Sequence, residues 1–412
     1  ELAKAFADHL GVKLTVLVTE NFRDMVPALL RGEADIIAAG FAVTKRFTSH
    51  LAFGPPYMEV TPQVVGRRGG TSPRAVPELI GQSVWVNAGT SYEELLWEQK
   101  NHYPTLCWFS VSGYETEELL EMVARGIIPF TVADSTIVAS SQRYYPQIVA
   151  HFPLAETAQL AWAMDPRCPQ LQAAVHSWFK RPETAAFLER LKQHYYGHLE
   201  LFDYVDLATY HRRLRERLPD YRRYFEAAAK RYSLDWRLVA ALAYQESHWD
   251  PDAESLTGVK GLMMLTEKTA EDLGVNSRLD PVEAIFAGAR YFAHLHKRVG
   301  PEVSEPGRTY MALAAYNLGL GHVEDTRRLA KRLGKNPDLW PDVRSTLPLL
   351  RKERYYQTLP YGYARGTEAV RYVDRIRTYY RILVQATEDA QGRPEIVAGD
   401  GPMGELRPVM AM

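Results

Sequence analysis

A glutamate near the end of a helix, in line with that helix's apolar stripe, is the feature of this chain best suited to acid–base chemistry. The stretch from Ala243 to Asp250 reads AYQESHWD, and GVKGLMML follows from Gly258 to Leu265. Upstream, Trp236 to His248 has helical periodicity. Val239, Leu242 and Glu246 recur at spacings of three and four, which predicts an inward-pointing carboxylate. Pro251 is predicted to stop the helix, leaving Glu246 among unpaired terminal carbonyls that disfavour negative charge. Burial acts in the same direction, towards the protonated acid. A carboxyl still protonated near neutral pH is what a general acid needs to protonate a glycosidic oxygen. The helix alone fits equally well a buried glutamate held by structural hydrogen bonds. Asp250, Asp252 and Glu254 follow closely, but beyond the helix stop they read as solvated or turn-capping groups.

The elements that must hold this residue come from a chain of 412 residues, too long for one ordinary core, so two domains are expected. With 46% hydrophobic and 24% charged residues, the composition is that of a folded globular protein. A formal net charge of −1 gives no reason to expect nucleic acid as a partner. Local basic runs such as Arg212-Arg213 read as a solvated helix face. Two cysteines, Cys107 and Cys168, allow one disulfide or none and cannot build a four-cysteine zinc site. No apolar run is long enough to span a bilayer and no secretory signal is evident. The chain opens on Glu1-Leu2-Ala3 as if in mid-helix, so an export signal or lipid anchor is expected upstream.

Helix and strand alternate from Glu1. ELAKAFADHLG reads as a helix closed by Gly11, VKLTVLVTE as a strand, FRDMVPALLRGEAD as a helix and IIAAGFAVT as a buried strand or strand end. SVWVNAGTS, SYEELLWEQK, ETEELLEMVARG and IIPFTVADS repeat the pattern, predicting a largely parallel sheet. The runs LAKAFADHLGVKLTVL, PALLRGEADIIAAGFAVT, AFGPPYMEV and VARGIIPFTVADS resemble the family-3 solute-binding domains of the bacterial periplasm. That resemblance implies a two-lobed α/β domain over residues 1–199, with the second lobe near 70–155 and the family's first strand lying before Glu1. Its lobes would close on an amino acid or small peptide by a hinge. It also implies ligand contacts from Gly89, Thr90 and Ser91, whose loop would meet a carboxylate, and from Asp134, which would meet an ammonium. Aligning Thr44 and Phe53 puts Phe47 where the family has its carboxylate-binding arginine, with Arg46 one residue early.

Residues 197–206, GHLELFDYVD, hold too few glycines and prolines for a floppy tether. From there to about 388 the periodicity is helical, with Asp235 and Asp280 as predicted N-caps and Pro281 at a first helical position. The last stretch, 389–412, is rich in Gly and Pro and reads as a disordered tail.

AYQESHWDP, TGVKGLMMLT, LAAYNLG and GTEAVRYVDRI occur in that order and resemble the lysozyme-like (goose-type/SLT) lytic transglycosylases of bacterial cell-wall metabolism. The implied architecture is a two-lobed α/β periplasmic-binding-protein-like domain followed by an all-α lysozyme-like domain over 200–388. The resemblance implies that Glu246 is the catalytic acid and base, with Ser247 supporting it or the sugar. Gly261, Leu262 and Met263 would line the groove, with Met264 standing where many members have glutamine. Tyr316 and Asn317 would contact the sugar beside the scissile bond, and Glu368 and Tyr372 would come from a Glu-x-x-x-Tyr-Val segment, Tyr372 lying near the catalytic carboxylate.

One dedicated carboxyl suits the family's non-hydrolytic chemistry, whereas ordinary glycosidases flank the bond with two. The implied substrate is the peptidoglycan glycan strand, cleaved to 1,6-anhydromuramic acid ends without metal or organic cofactor. The implied setting is the periplasmic face of the outer membrane, and the implied effector is an amino acid or muropeptide. Two other readings stay open: a solute-capture protein with a non-catalytic helical module, and a water-using muramidase.

Overall fold

The structure, a computed structural model, describes residues 1–19, 21–196, 204–255 and 258–389. Two compact units divide the chain, one within 1–199 and the other within 200–394. Most of the 197–206 junction and all of the predicted tail except Asp389 lie outside the described residues; Asp389 ends the last helix.

In the first unit two sheets share a narrow connection. The smaller sheet orders Ile36–Ile37, Ala163–Met164 and Ala52–Phe53, all antiparallel. The chain leaves it along Met58–Val60 and returns along Ala158–Leu160, which pair antiparallel with each other. The larger sheet orders Trp108–Val111, Val84–Asn87, Phe130–Asp134, Pro62–Arg67 and Ile148–Pro153. Strand alternation fills both its faces: Val64, Val84 and Trp108 enter one buried cluster, Val65, Val111 and Ala133 the other.

Two sequence expectations need correction here. The larger sheet is mixed, because Pro62–Arg67 runs antiparallel to both of its neighbours while Val84–Asn87 runs parallel to both of its own. Residues 12–19, predicted as a strand, pair with none of the described strands; Val16 and Val18 are 71% and 84% exposed. An alternating pattern is not sufficient for a strand, which needs an edge to bond to.

The second unit is helical. Leu218–Tyr232 packs on Pro281–Val299, and Trp236–Ser247 packs on Leu218–Tyr232 and on the long Gly366–Asp389 helix. Asp235 and Asp280 cap their helices as predicted, accepting from the backbone amides of Arg237 and Glu283 at 2.9 and 2.8 Å. Residues Val239 to Ala243 are completely buried, so this helix is a core element, each larger apolar side chain contributing roughly 1.5–3 kcal/mol. Its end also needs correction. It stops at Ser247, ahead of Pro251, because His248 and Trp249 both turn to φ 56°. Trp249 folds back into the core and donates from Nε1 to the carbonyl of Ala240 at 2.9 Å.

Candidate active site

Glu246 is delivered by the last turn of the Trp236–Ser247 helix to a groove of about 510 Å³. Tyr316, Asn317, Met264, His248 and Glu254 also line it. Glu246 is half-buried, touching the groove while most of its surroundings exclude water. That burial raises its pKa from an ordinary 4.5 to about 7, against a smaller opposing effect of a hydrogen bond from the Tyr372 hydroxyl to Oε1. Burial, and then the nearby Glu246 charge, raise the Tyr372 and Tyr316 phenols well above the ordinary range, so both remain donors.

Tyr372 comes from the Gly366–Asp389 helix. Two residues further on, Asp374, 1% exposed, accepts from Arg344 at 2.8 Å and from Arg377 at 3.3 Å. The Arg344 pair ties this helix to the Trp340–Thr346 helix two residues from Tyr372. Tyr316 ends another helix, Gly307–Leu318, and its hydroxyl donates to the Met263 carbonyl at 3.1 Å.

The loop carrying Gly261 to Met264 supports the groove more than it lines it. Leu262 and Met263 are wholly buried and do not reach the groove; the Met263 side chain fills the space above Gly288, where an added Cβ would lie 2.4 Å from its Cε. Gly261, at φ 93°, sits where a Cβ would come within 2.5 Å of the Arg278 carbonyl oxygen. Of this segment Met264 alone lines the groove, itself at φ 46°. Ser247 donates to the Leu262 carbonyl at 2.8 Å, so its hydroxyl ties the helix end to the loop.

Glu368 stands apart from the groove. Its side chain is 62% exposed and pairs with Arg365 at 3.6 Å, because it lies on the outer face of a first turn whose other face, with Gly366 and Ala369, is buried. Glu254, read from sequence as a solvated or capping group, lines the groove and pairs with Lys260 at 3.1 Å. A two-residue bridge between Glu254 and Lys260 folds its segment back, a contact no local pattern announces. Asp250 and Asp252 lie outside the groove; Asp250 pairs with Arg217 at 3.3 Å and caps the Asp252 amide.

The first unit holds a second cavity, a cleft of about 310 Å³: Phe22 and Met25, which pack against the smaller sheet, and Met58 and Leu160 of the connecting strands line it together with Thr90, Ser91 and Asp134. Burial pushes the Asp134 carboxyl up to about 6, partly offset by the Tyr92 hydroxyl. Gly89 and Arg46 do not line this cleft. The Gly89 amide donates to Glu93 Oε2 at 2.7 Å, within its own loop. Arg46 is exposed because the short Lys45–Thr48 helix, capped by Thr44, turns Phe47 inward against Phe41. Cys107 and Cys168 are both free thiols. Among the described residues no cluster of His, Cys, Asp and Glu has the arrangement of a metal site, and no helix is long and apolar enough to cross a membrane.

Comparison with known proteins agrees with this division of the chain. Residues 1–198 match the bacterial extracellular solute-binding proteins of family 3, and residues 223–339 match the transglycosylase SLT domain. A structure of a mutant ArgBP from T. maritima is 21% identical, covering 48% of this chain and 83% of that one with a TM-score of 0.43. Over nearly the whole length, the chain is 42% identical to the membrane-bound lytic murein transglycosylase F of Aeromonas hydrophila, covering 95% of this chain and 78% of that protein. It is likewise 42% identical to the protein of that name from Pseudomonas putida strain W619, covering 94% and 80%. With its solute-binding unit, its SLT unit and this level of identity across both, the chain belongs to the membrane-bound lytic murein transglycosylase F family.

Proposed function

We propose that this chain is a peptidoglycan lytic transglycosylase whose acid and base is Glu246. The observation that carries the reading is a carboxyl with a pKa of about 7, facing a groove and held by a buried tyrosine hydroxyl. At neutral pH a large fraction of such groups still holds its proton, and a pKa near the working pH suits a residue that gives a proton and then takes one back. Protonated Glu246 donates to the oxygen joining N-acetylmuramic acid to N-acetylglucosamine, and the C1–O bond breaks. The acetamido group of the muramic residue stabilises the cation at C1. The Glu246 carboxylate then takes the proton of the sixth-carbon hydroxyl as that oxygen closes on C1. The product is a 1,6-anhydro end, and the enzyme regains its starting protonation without consuming water. A nucleophile already in the substrate competes well with solvent because its effective concentration is high.

Tyr372 orients the carboxyl, Tyr316 and Asn317 flank the sugar, and the Ser247–Leu262 bond holds the loop that presents Met264. Glu254 favours a second course, in which a second carboxylate in the same groove activates water and makes the chain a muramidase. Mass spectrometry of peptidoglycan digested by wild type and by Glu246→Gln separates the two: anhydro ends are one water lighter than reducing ends. Reducing ends from the wild type would sink the transglycosylase reading.

The first unit acts as a ligand sensor. A cleft beside the narrow connection between two sheets suits hinge closure on a small molecule, and occupancy of the cleft alters turnover in the second unit. Turnover unchanged across separate titrations of small amines, amino acids and soluble muropeptides would count against this. The working place is a membrane, at the periplasmic face of the outer membrane, in keeping with the names of the relatives.

A further inference from the structure

Among the described residues every charged side chain that lines the cleft of the first unit is acidic, beside neutral hydroxyls such as those of Ser91, Ser112 and Thr136. Asp134, Glu115 and Glu117 line it, and among the described residues no lysine, arginine or histidine does. Asn87, another lining residue, is only 9% exposed, yet its Oδ1 has no hydrogen-bond partner while its Nδ2 faces Thr116 Oγ1 at 3.5 Å. Thr19 Oγ1, also in the lining, is buried without a partner as well. A buried acceptor left unpaired costs stability, so Asn87 Oδ1 calls for a donor from outside the chain, while the Thr19 hydroxyl could meet either a donor or an acceptor.

Of the three loop residues that the resemblance gives to a carboxylate, Gly89 and Thr90 already engage their donors within the protein, which leaves Ser91. The Gly89 amide, at the start of the Ser91–His102 helix, is held by Glu93. Glu93 and Glu94 together place two negative charges in that helix's first turn, where they oppose its attraction for an anion. The Thr90 hydroxyl gives its proton to the Asn87 carbonyl at 2.7 Å. Arg46 is exposed and does not line the cleft, nor does Arg23, which packs its Cβ near Gly89. A ligand carboxylate would therefore enter a confined space beside Asp134 with no cation to receive it.

We infer that this cleft takes a small cationic amine lacking a free carboxylate. The ligand's ammonium sits against Asp134 and supplies N–H donors to Asn87 Oδ1, while Glu115 and Glu117 draw the positive charge to the mouth. The inference rests on reading this unit as a ligand sensor and narrows the ligand from amino acids in general to amines or amino compounds whose carboxyl is amidated.

The test is titration calorimetry on the full chain with pentane-1,5-diamine and L-lysine, which differ only by a carboxyl group. The diamine is expected to bind at least about tenfold more tightly than lysine. Asp134→Asn is expected to abolish diamine binding, and Glu117→Gln, at an exposed position where folding is not at risk, to weaken it several-fold. Lysine binding as tightly as the diamine, neither compound binding, or both variants binding the diamine as wild type does would overturn the inference. Lysine binding would do so while leaving a sensor in place, whereas diamine binding with no effect on turnover would instead sink the regulatory reading.

Discussion

The hydroxyl of Tyr372 donates to Oε1 of Glu246 across 126 residues of sequence. Both side chains are set by helices whose buried faces pack against each other, so the bond is built into the core of the helical unit. It is the one side-chain contact that lowers the Glu246 pKa, and burial outweighs it.

Replacing Glu246 by glutamine should reduce cleavage of purified peptidoglycan by roughly 10²–10⁴-fold, the usual scale for a lost general acid. Stability should move the other way. Because the folded pKa, about 7, lies above the ordinary 4.5, the native state keeps a proton that the unfolded chain has lost, and stability falls as pH rises through that window. The loss amounts to roughly 3 kcal/mol at most above pH 7. Glu246→Gln lacks that decline, so its melting temperature should match the wild type near pH 4.5 and exceed it near pH 8, as thermal melts would register.

For the wild type, kcat/KM should fall as pH rises above about 7, as the acid loses its proton. In Tyr372→Phe that limb should shift to higher pH, because the lost hydrogen bond had favoured the carboxylate. The rate on the plateau should drop by about tenfold, the scale of a lost hydrogen bond to a charged group. A profile superimposable on the wild type would mean that the hydroxyl does not act on Glu246.

Ser247→Ala strands the Leu262 carbonyl, and the cost should be about 1–2 kcal/mol, read as a lower transition temperature for the helical unit. Gly261→Ala should cost more, about 2–4 kcal/mol, since it adds left-handed strain to a clash with the Arg278 carbonyl. If the alanine at 261 proved the milder change, the loop would be softer than its packing indicates.

Glu368→Ala should leave turnover within about twofold of wild type, because an exposed ion pair at a helix start is worth little. A large loss of activity with unchanged melting would return Glu368 to the substrate groove.

Local rules were sufficient for several parts of this molecule. The periodicity of 236–248 predicted a helix with Glu246 on its buried side, one residue longer than the helix that forms, and Asp235 and Asp280 announced the helix starts they cap. These are properties of neighbours in the chain, where spacing maps directly onto a face. Residues 12–19 mark the limit: the same alternation that forms strands elsewhere forms none here, since pairing depends on a second segment.

Spacing and capping along the chain thus account for the order of the two units, most of their helices and the buried placing of one glutamate. Tertiary structure alone decided that Tyr372 meets that glutamate, that Glu254 enters its groove while Glu368 stays outside, and that Glu93 closes the Gly89 amide. The reason is that a side chain's partners across the fold are chosen by how whole elements pack and rotate. A carboxylate's role depends on those partners and on its distance from water, and neither is written in its neighbours along the chain.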